Sequence, residues 1–555
     1  MFDILANLIH NRSVHESFKG NEEETQDAVL SRLRPAAVIL QPGQSGRETR
    51  VEVIEASSMT GRPAYVHSHP ARKPQGACGE DHPALQGKLW GQERRGAMSR
   101  LSLLVALPVI VLVLAACAGE EAVPTPGTPG ATAPTGPVQI DLWHSESAAN
   151  VDTLQRLISR YNSSQDEVKV QAFFQGTDEE LIAKLVTSLG SGKVPAIALL
   201  SELDTRLMID SGAAAPVQDF IDREGYDLSD LDEKPVKEYT VQGKLWAMPF
   251  ASGVPLLYYN KVTFREVGLD PEKPPRDLEE LRQYSEKILK RDASGNVVRS
   301  GIAIDNQEWT QRALAEHGDL LVDNNNGRDG RATKVLFDND TGRWFFQWWH
   351  DMVDEGLAFD VGRNLTYADG LLAIASGRAA MTFSYSNALR SVVDVLEKGV
   401  QGVEMGVAVV PGVPGGTGAP LLFGRVFWIL NLRPEEEQEA AWKFIKWLME
   451  PEQQAEWFAG SGYLPANHSA IDLPAAKDVI AKYPQFQVPL DLYLNSPTTP
   501  AALNALIGPF WQVDEALHQG ADAMLSGAKD PAQALEDAAA SANQIIEDYN
   551  QRVKD

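Results

Sequence analysis

From residue 138 onward the chain alternates strand-like and helix-like runs, and this alternation restricts it to an α/β architecture. VQIDLWHS at 138–145 reads as a strand, and DTLQRLISRYNSSQ at 152–165 as a helix with Leu154, Leu157, Ile158 and Tyr161 on one face. KVQAFFQG at 169–176 is a second strand. EELIAKLVTSLGSG at 179–192 is an amphipathic helix closed by glycine, and VPAIALLSE at 194–202 is a buried strand. Further strand candidates are KLWAMPF (244–250), GVPLLYYN (253–260), RAAMTFSY (378–385), MGVAVVPG (405–412) and LFGRVFWIL (422–430), with mostly parallel sheets expected. The last third is helical: 436–450, 451–460 and 531–553 carry apolar stripes. Trp344, Phe345, Trp348, Trp349, Trp442 and Trp447 sit on such stripes and are assigned to the core.

A chain of 555 residues outgrows a single core, so at least two lobes are expected. The formal charge of −26 excludes a nucleic-acid surface, which needs clustered Lys and Arg. Two cysteines, Cys78 and Cys117, exclude a disulfide framework and a thiolate cage.

Between them, residues 101–116 (LSLLVALPVIVLVLAA) form an uncharged run behind Arg94, Arg95 and Arg100. The run is short for a spanning helix and is interrupted by Pro108, so it reads as the apolar part of a secretion signal over 98–116. Its end, Leu-Ala-Ala-Cys, resembles a bacterial lipobox, which implies a lipid on Cys117 and an extracytoplasmic protein anchored to the outer face of the cell membrane. Signals begin a chain, so Met98 is read as the true start and residues 1–97 as upstream or disordered sequence; a cytoplasmic extension is the alternative. The Pro-, Gly- and Thr-rich 117–137 is a flexible tether.

Catalytic signatures are missing from the sequence. Gly190-Ser191-Gly192-Lys193 lacks the first glycine and the Ser or Thr of a phosphate-binding loop and reads as a helix end. No His-Glu-x-x-His, Gly-x-Ser-x-Gly or CxxC occurs, and nothing calls for a cofactor or a metal. Asp323-Asn324-Asn325-Asn326-Gly327 has its glycine one place early for a calcium loop and reads as a polar turn.

Leu142-Trp143-His144-Ser145, 255–261 (PLLYYNK) and Gly462-Tyr463-Leu464-Pro465 resemble the family 1 extracellular solute-binding proteins of carbohydrate ABC importers, in particular those that bind glycerol 3-phosphate. Gly268-Leu269-Asp270-Pro271, 324–327 and Gln454-Ala455-Glu456-Trp457 extend the resemblance, which runs from about residue 138 to the C-terminus. It implies a two-lobed periplasmic-binding-protein fold of type II, non-catalytic, with the ligand in the cleft and capture by hinge closure. The lobes expected are 138–250 with 388–427 and 254–385 with 430–555, crossing near 250–255, 384–388 and 427–430. The partners implied are a small polar solute (sugar, polyol or glycerophosphodiester) and the transmembrane subunits of an ABC permease.

Carried over residue by residue, the resemblance implies ligand contacts at Glu202, Ser252 (or Gly253 in an alternative register), Trp309, Ser386, Gly424 and Tyr463. Four positions depart from the pattern. Asp178 stands for a tyrosine, Asn306 for a tryptophan, and Asn504 for the phosphate-binding arginine; Arg425 replaces a small residue, as a ligand contact or a lobe-interface ion pair. Loss of a bidentate guanidinium and gain of a carboxylate disfavour a dianionic phosphate, so a neutral polyol or sugar is the simplest solute. Two other classes share such a cleft: a secreted carbohydrate hydrolase using Asp178 and Glu202, and a binding module for a sensor kinase.

Overall fold

The computed structural model describes residues 136–146, 149–305, 308–363, 368–397 and 399–553. Cys117, the signal-like segment and Asn306 lie outside the described residues.

Each lobe is built on one sheet. The first runs Leu464–Pro465, Met248–Gly253, Phe423–Leu430, Ile197–Ser201, Val138–His144, Val168–Phe174, with Ala214–Ala215 added on Phe423–Leu430. The second runs Ala358–Gly362, Val297–Asp305, Ala379–Tyr385, Pro255–Asn260, Met405–Val409. Central strands such as Ile197–Ser201 and Ala379–Tyr385 are buried along their whole length, which is why they read as continuous apolar runs.

Parallel pairing holds where a helix links two strands, as between Val138–His144 and Val168–Phe174. Both sheets are nevertheless mixed. Phe423–Leu430 is antiparallel to Ile197–Ser201 and to Met248–Gly253, and Pro255–Asn260 is antiparallel to both of its neighbours. Strands that enter from the other lobe need no covering helix, so nothing forces them to run parallel.

The helices follow their expected faces. Ala149–Ser164 buries Leu154, Leu157, Ile158 and Tyr161. Asp178–Leu189 opens on a reciprocal cap, Thr177 with Glu180, and places three acids in its first turn, where the helix dipole favours them. Trp349 and Trp442 are fully buried, but Trp344 lies 36% exposed on the outer side of Asp340–Asp354.

The lobe boundaries differ from those expected. The chain leaves the first sheet at Gly253-Val254-Pro255, but Met405–Val409 pairs with Pro255–Asn260 in the second sheet rather than joining the first. The strand on its other side is already taken: Ile197–Ser201 receives Phe423–Leu430. The return crossing is therefore the loop 410–422, and Glu435–Leu448 packs back on the first sheet instead of the second. A third crossing, 496–509, leads to Phe510–Leu525 and Pro531–Arg552, which pack on each other and on the second lobe.

That third segment is fastened by the polar turn. Asn324, Asn325 and Asn326 all take left-handed backbone angles, which asparagine tolerates better than most residues. Asn326 Oδ1 accepts from Leu321 N (2.9 Å), its Nδ2 donates to Leu503 O (3.1 Å), and its carbonyl accepts from Leu506 N (2.9 Å). The turn thereby sets where Asn504 stands.

Candidate functional site

The candidate residues fall into three groups around the crossings. Glu202, Ser252, Gly424 and Asn504 come together in one open pocket, whose roughly 430 Å³ of space includes solvent at its mouth, walled also by Lys234, Glu238, Tyr239 and Phe423. Glu202 follows a buried strand and is itself buried; its Oε2 accepts from Gly424 N (2.8 Å) and Ser201 Oγ (2.9 Å). Burial pushes its carboxyl up to about 7, against the pull of those donors. Gly424 has to lack a side chain, because a Cβ there would lie 2.6 Å from the Tyr239 hydroxyl. Asn504 donates through Nδ2 to Leu422 O (2.8 Å) and through its backbone N to Glu238 Oε2 (3.2 Å). Burial raises the Glu238 carboxyl although Arg328 lies 2.9 Å away.

The second group surrounds Arg425. Its Nη1 donates to Asp178 Oδ1 (2.7 Å), and its Nε donates to Glu146 Oε1 (2.8 Å) and the Tyr463 hydroxyl (3.0 Å). Ser145 also donates to Asp178. Burial works against the guanidinium's charge, but Asp178, Tyr463 and Glu146 outweigh it and hold the group well above its usual range. Burial likewise raises Glu146, partly countered by Arg425. Both carboxylates stand on the first lobe, so Arg425 makes an ion-pair network within that lobe and not one between lobes. Tyr463, which is fully buried, supports the arginine.

The third group is on the second lobe. Trp309 is buried and stacked on Tyr385 (5.5 Å, 12°), and its indole N–H donates to Asp305 Oδ1 (2.6 Å). Arg312 lies over the Tyr385 ring at 4.4 Å and donates to its hydroxyl (2.8 Å), while that hydroxyl donates to Glu308 (2.6 Å). The aromatic face that would attract an external cation is thus already covered by a cation. Ser386 is fully buried at the hinge: its Oγ accepts from Val254 N (3.3 Å) and its N donates to Val254 O (3.0 Å), tying two segments together.

Phe423 joins these groups. Its ring lies 5.0 Å from Tyr385 on one lobe and 5.4 Å from Tyr463 on the other. It rests on the hinge at Gly253, where a Cβ would meet the ring at 1.8 Å. Sequence reasoning missed Phe423, Glu146, Tyr385 and Arg312. Phe423 adjoins Gly424 and Glu146 adjoins Ser145, so proximity to a quoted motif was the available signal. Among the described residues no group of three or more His, Cys, Asp or Glu is placed to hold a metal, and no helix is long and apolar enough to cross a membrane.

Two mixed sheets, joined by three crossings with buried polar groups between them, define a two-lobed binding protein. The chain belongs to the bacterial extracellular solute-binding protein family, whose profile matches residues 156–488. Among curated proteins it is 28% identical over 424 residues to the sn-glycerol-3-phosphate-binding periplasmic protein UgpB of Shigella flexneri, covering 75% of this chain and 94% of the relative. Among solved structures it resembles UgpB from Mycobacterium tuberculosis in complex with glycerophosphocholine (TM-score 0.61, 21% identity, 75% of this chain and 100% of that one). A second likeness is to the cyclic alpha-maltosyl-1,6-maltose binding protein from Arthrobacter globiformis (TM-score 0.59, 23% identity, 74% and 100% covered).

Proposed function

We propose that the protein is the lipid-anchored receptor of an ABC importer and that it takes a neutral sugar or polyol, with a glycerophosphodiester as the charged solute nearest in chemistry. One observation carries the choice: Arg425 already donates through Nε to Glu146 and Tyr463 and through Nη1 to Asp178. A dianionic phosphate would have to compete with charge-assisted bonds already made. The pocket of Glu202, Ser252 and Asn504 offers polar groups suited to hydroxyls beside the aromatic wall of Phe423.

The same commitment of Asp178 supports a binding role over glycoside hydrolysis, which needs two carboxyl groups free to flank one bond. Calorimetry with maltose, glycerol, glycerophosphocholine and glycerol 3-phosphate tests the reading. The neutral solutes or the diester bind, and glycerol 3-phosphate is the weakest. Tight binding of glycerol 3-phosphate that Arg425→Ala abolishes would refute it. Asp178→Tyr with Asn504→Arg should gain glycerol 3-phosphate affinity, because the first change releases the Arg425 guanidinium and the second adds another.

The anchor is proposed from Leu114-Ala115-Ala116-Cys117 behind the basic, apolar segment. Expression from Met98 in a bacterial host with labelled palmitate should label the protein, and Cys117→Ser should not be labelled.

A further inference from the structure

Among the described residues, three side-chain carboxylates of the first lobe, Asp210, Asp204 and Glu238, accept from donors of the second lobe. Asp210, at the end of the first-lobe helix Thr205–Asp210, has a side chain only 3% exposed. It takes Arg331 Nη1 (2.5 Å) and the Tyr549 hydroxyl (3.0 Å) from the second lobe, besides Arg206 Nη2 (2.8 Å) from its own helix. Asp204 Oδ1 accepts from the indole N–H of Trp511 (2.8 Å). Glu238 accepts from Arg328 Nη2 (2.9 Å). Each acceptor is a first-lobe carboxylate and each donor belongs to the second lobe.

The Asp210 contact lies apart from the solute pocket. The small cleft beside it is lined by Arg206, Arg331, Leu506, Ile507 and Tyr549, none of which lines the pocket of Glu202 and Asn504. Its geometry is built in on the second lobe as well: Gly508 lets the Tyr549 ring lie flat on the third crossing, since a Cβ there would meet the ring at 2.1 Å.

We propose that the Asp210–Arg331–Tyr549 contact is a latch that biases the protein toward the closed state before any solute arrives, and so sets affinity without touching the solute. Opening the hinge would part Asp210 from both second-lobe donors together. A solute binds only the closed arrangement with both lobes, so its apparent dissociation constant scales inversely with the fraction of protein already closed. Weakening the latch lowers that fraction for every solute alike, whereas a change in the pocket acts differently on different solutes.

The test needs no solute. Small-angle scattering compares the solute-free wild type with Arg331→Gln and with Tyr549→Phe, the second removing one hydrogen bond and no charge so that folding is preserved. The latch requires a compact wild type and a larger radius of gyration in both variants. Identical scattering from wild type and Tyr549→Phe would overturn it, whatever the solute proves to be. In calorimetry, maltose and glycerophosphocholine should each lose affinity by the same factor in a given variant, about tenfold, within the range of couplings between separate sites. A loss confined to one of the two solutes would also count against the latch.

Discussion

Replacing Glu202 by Gln should stabilise the solute-free protein, and only above mildly acidic pH. In the folded protein the Glu202 carboxyl is raised from 4.5 to about 7, chiefly by burial. Between those two values the folded state therefore holds a proton that the unfolded state has released, so stability falls as pH rises through that window and levels off above it. Each pKa unit is worth about 1.4 kcal/mol, so the wild type gives up about 3 kcal/mol that Gln does not. Gln keeps an oxygen to accept from Gly424 N and Ser201 Oγ, so the local bonds survive the change. Urea unfolding near pH 4.5 and near pH 8 measures the difference: the two proteins should be close at the lower pH and separated by roughly 3 kcal/mol at the higher. Glu316 and Asp514, also raised by burial, to about 7 and about 6, act in the same direction but equally in both proteins, so they cancel. The reasoning fails if the two proteins show the same dependence on pH. Solute affinity should fall in the same variant, because the carboxylate that would receive a hydroxyl is gone.

Arg425→Met leaves Glu146 and Asp178 without their cation, and breaking a buried pair from one side costs about 3–5 kcal/mol, read from the urea midpoint. The loss should shrink in acid, where the raised Glu146 carboxyl is protonated. Gly253→Ala drives a methyl into the Phe423 ring, which costs about 1–3 kcal/mol in unfolding experiments; Phe423→Leu in the same chain should restore part of it. Asn326→Ala removes the acceptor for Leu321 N and Val322 N and should cost about 1–3 kcal/mol. Faster amide exchange across 500–507, with the first sheet unchanged, would locate the damage.

Much of the fold was legible because its central strands are buried on both faces and so appear as unbroken apolar runs, as in Ile197–Ser201 and Phe423–Leu430. Val297–Asp305 was not singled out, since its first residues are exposed and polar Arg299 and Ser300 interrupt the pattern before the buried half begins. Strand direction was less legible still. Whether Met405–Val409 belongs to one lobe or the other depends on which sheet edge stands open, and that is decided by Phe423–Leu430 reaching Ile197–Ser201 across more than two hundred residues.

The site shows the same division at the level of single charges. Glu202, Ser252, Gly424 and Asn504, each placed from family order, line one pocket. What Arg425 does was not legible, because its partners lie 279 and 247 residues away, at the end of the first strand and the start of the second helix. An arginine in a cleft sequence reads as a receptor for anions; beside two carboxylates it is instead the counter-ion that lets them be buried. The choice between those roles sets whether the cleft favours a phosphate or a hydroxyl, and it rests on where Glu146 falls, a residue that no local pattern distinguishes from the other acids of a chain with 76 of them.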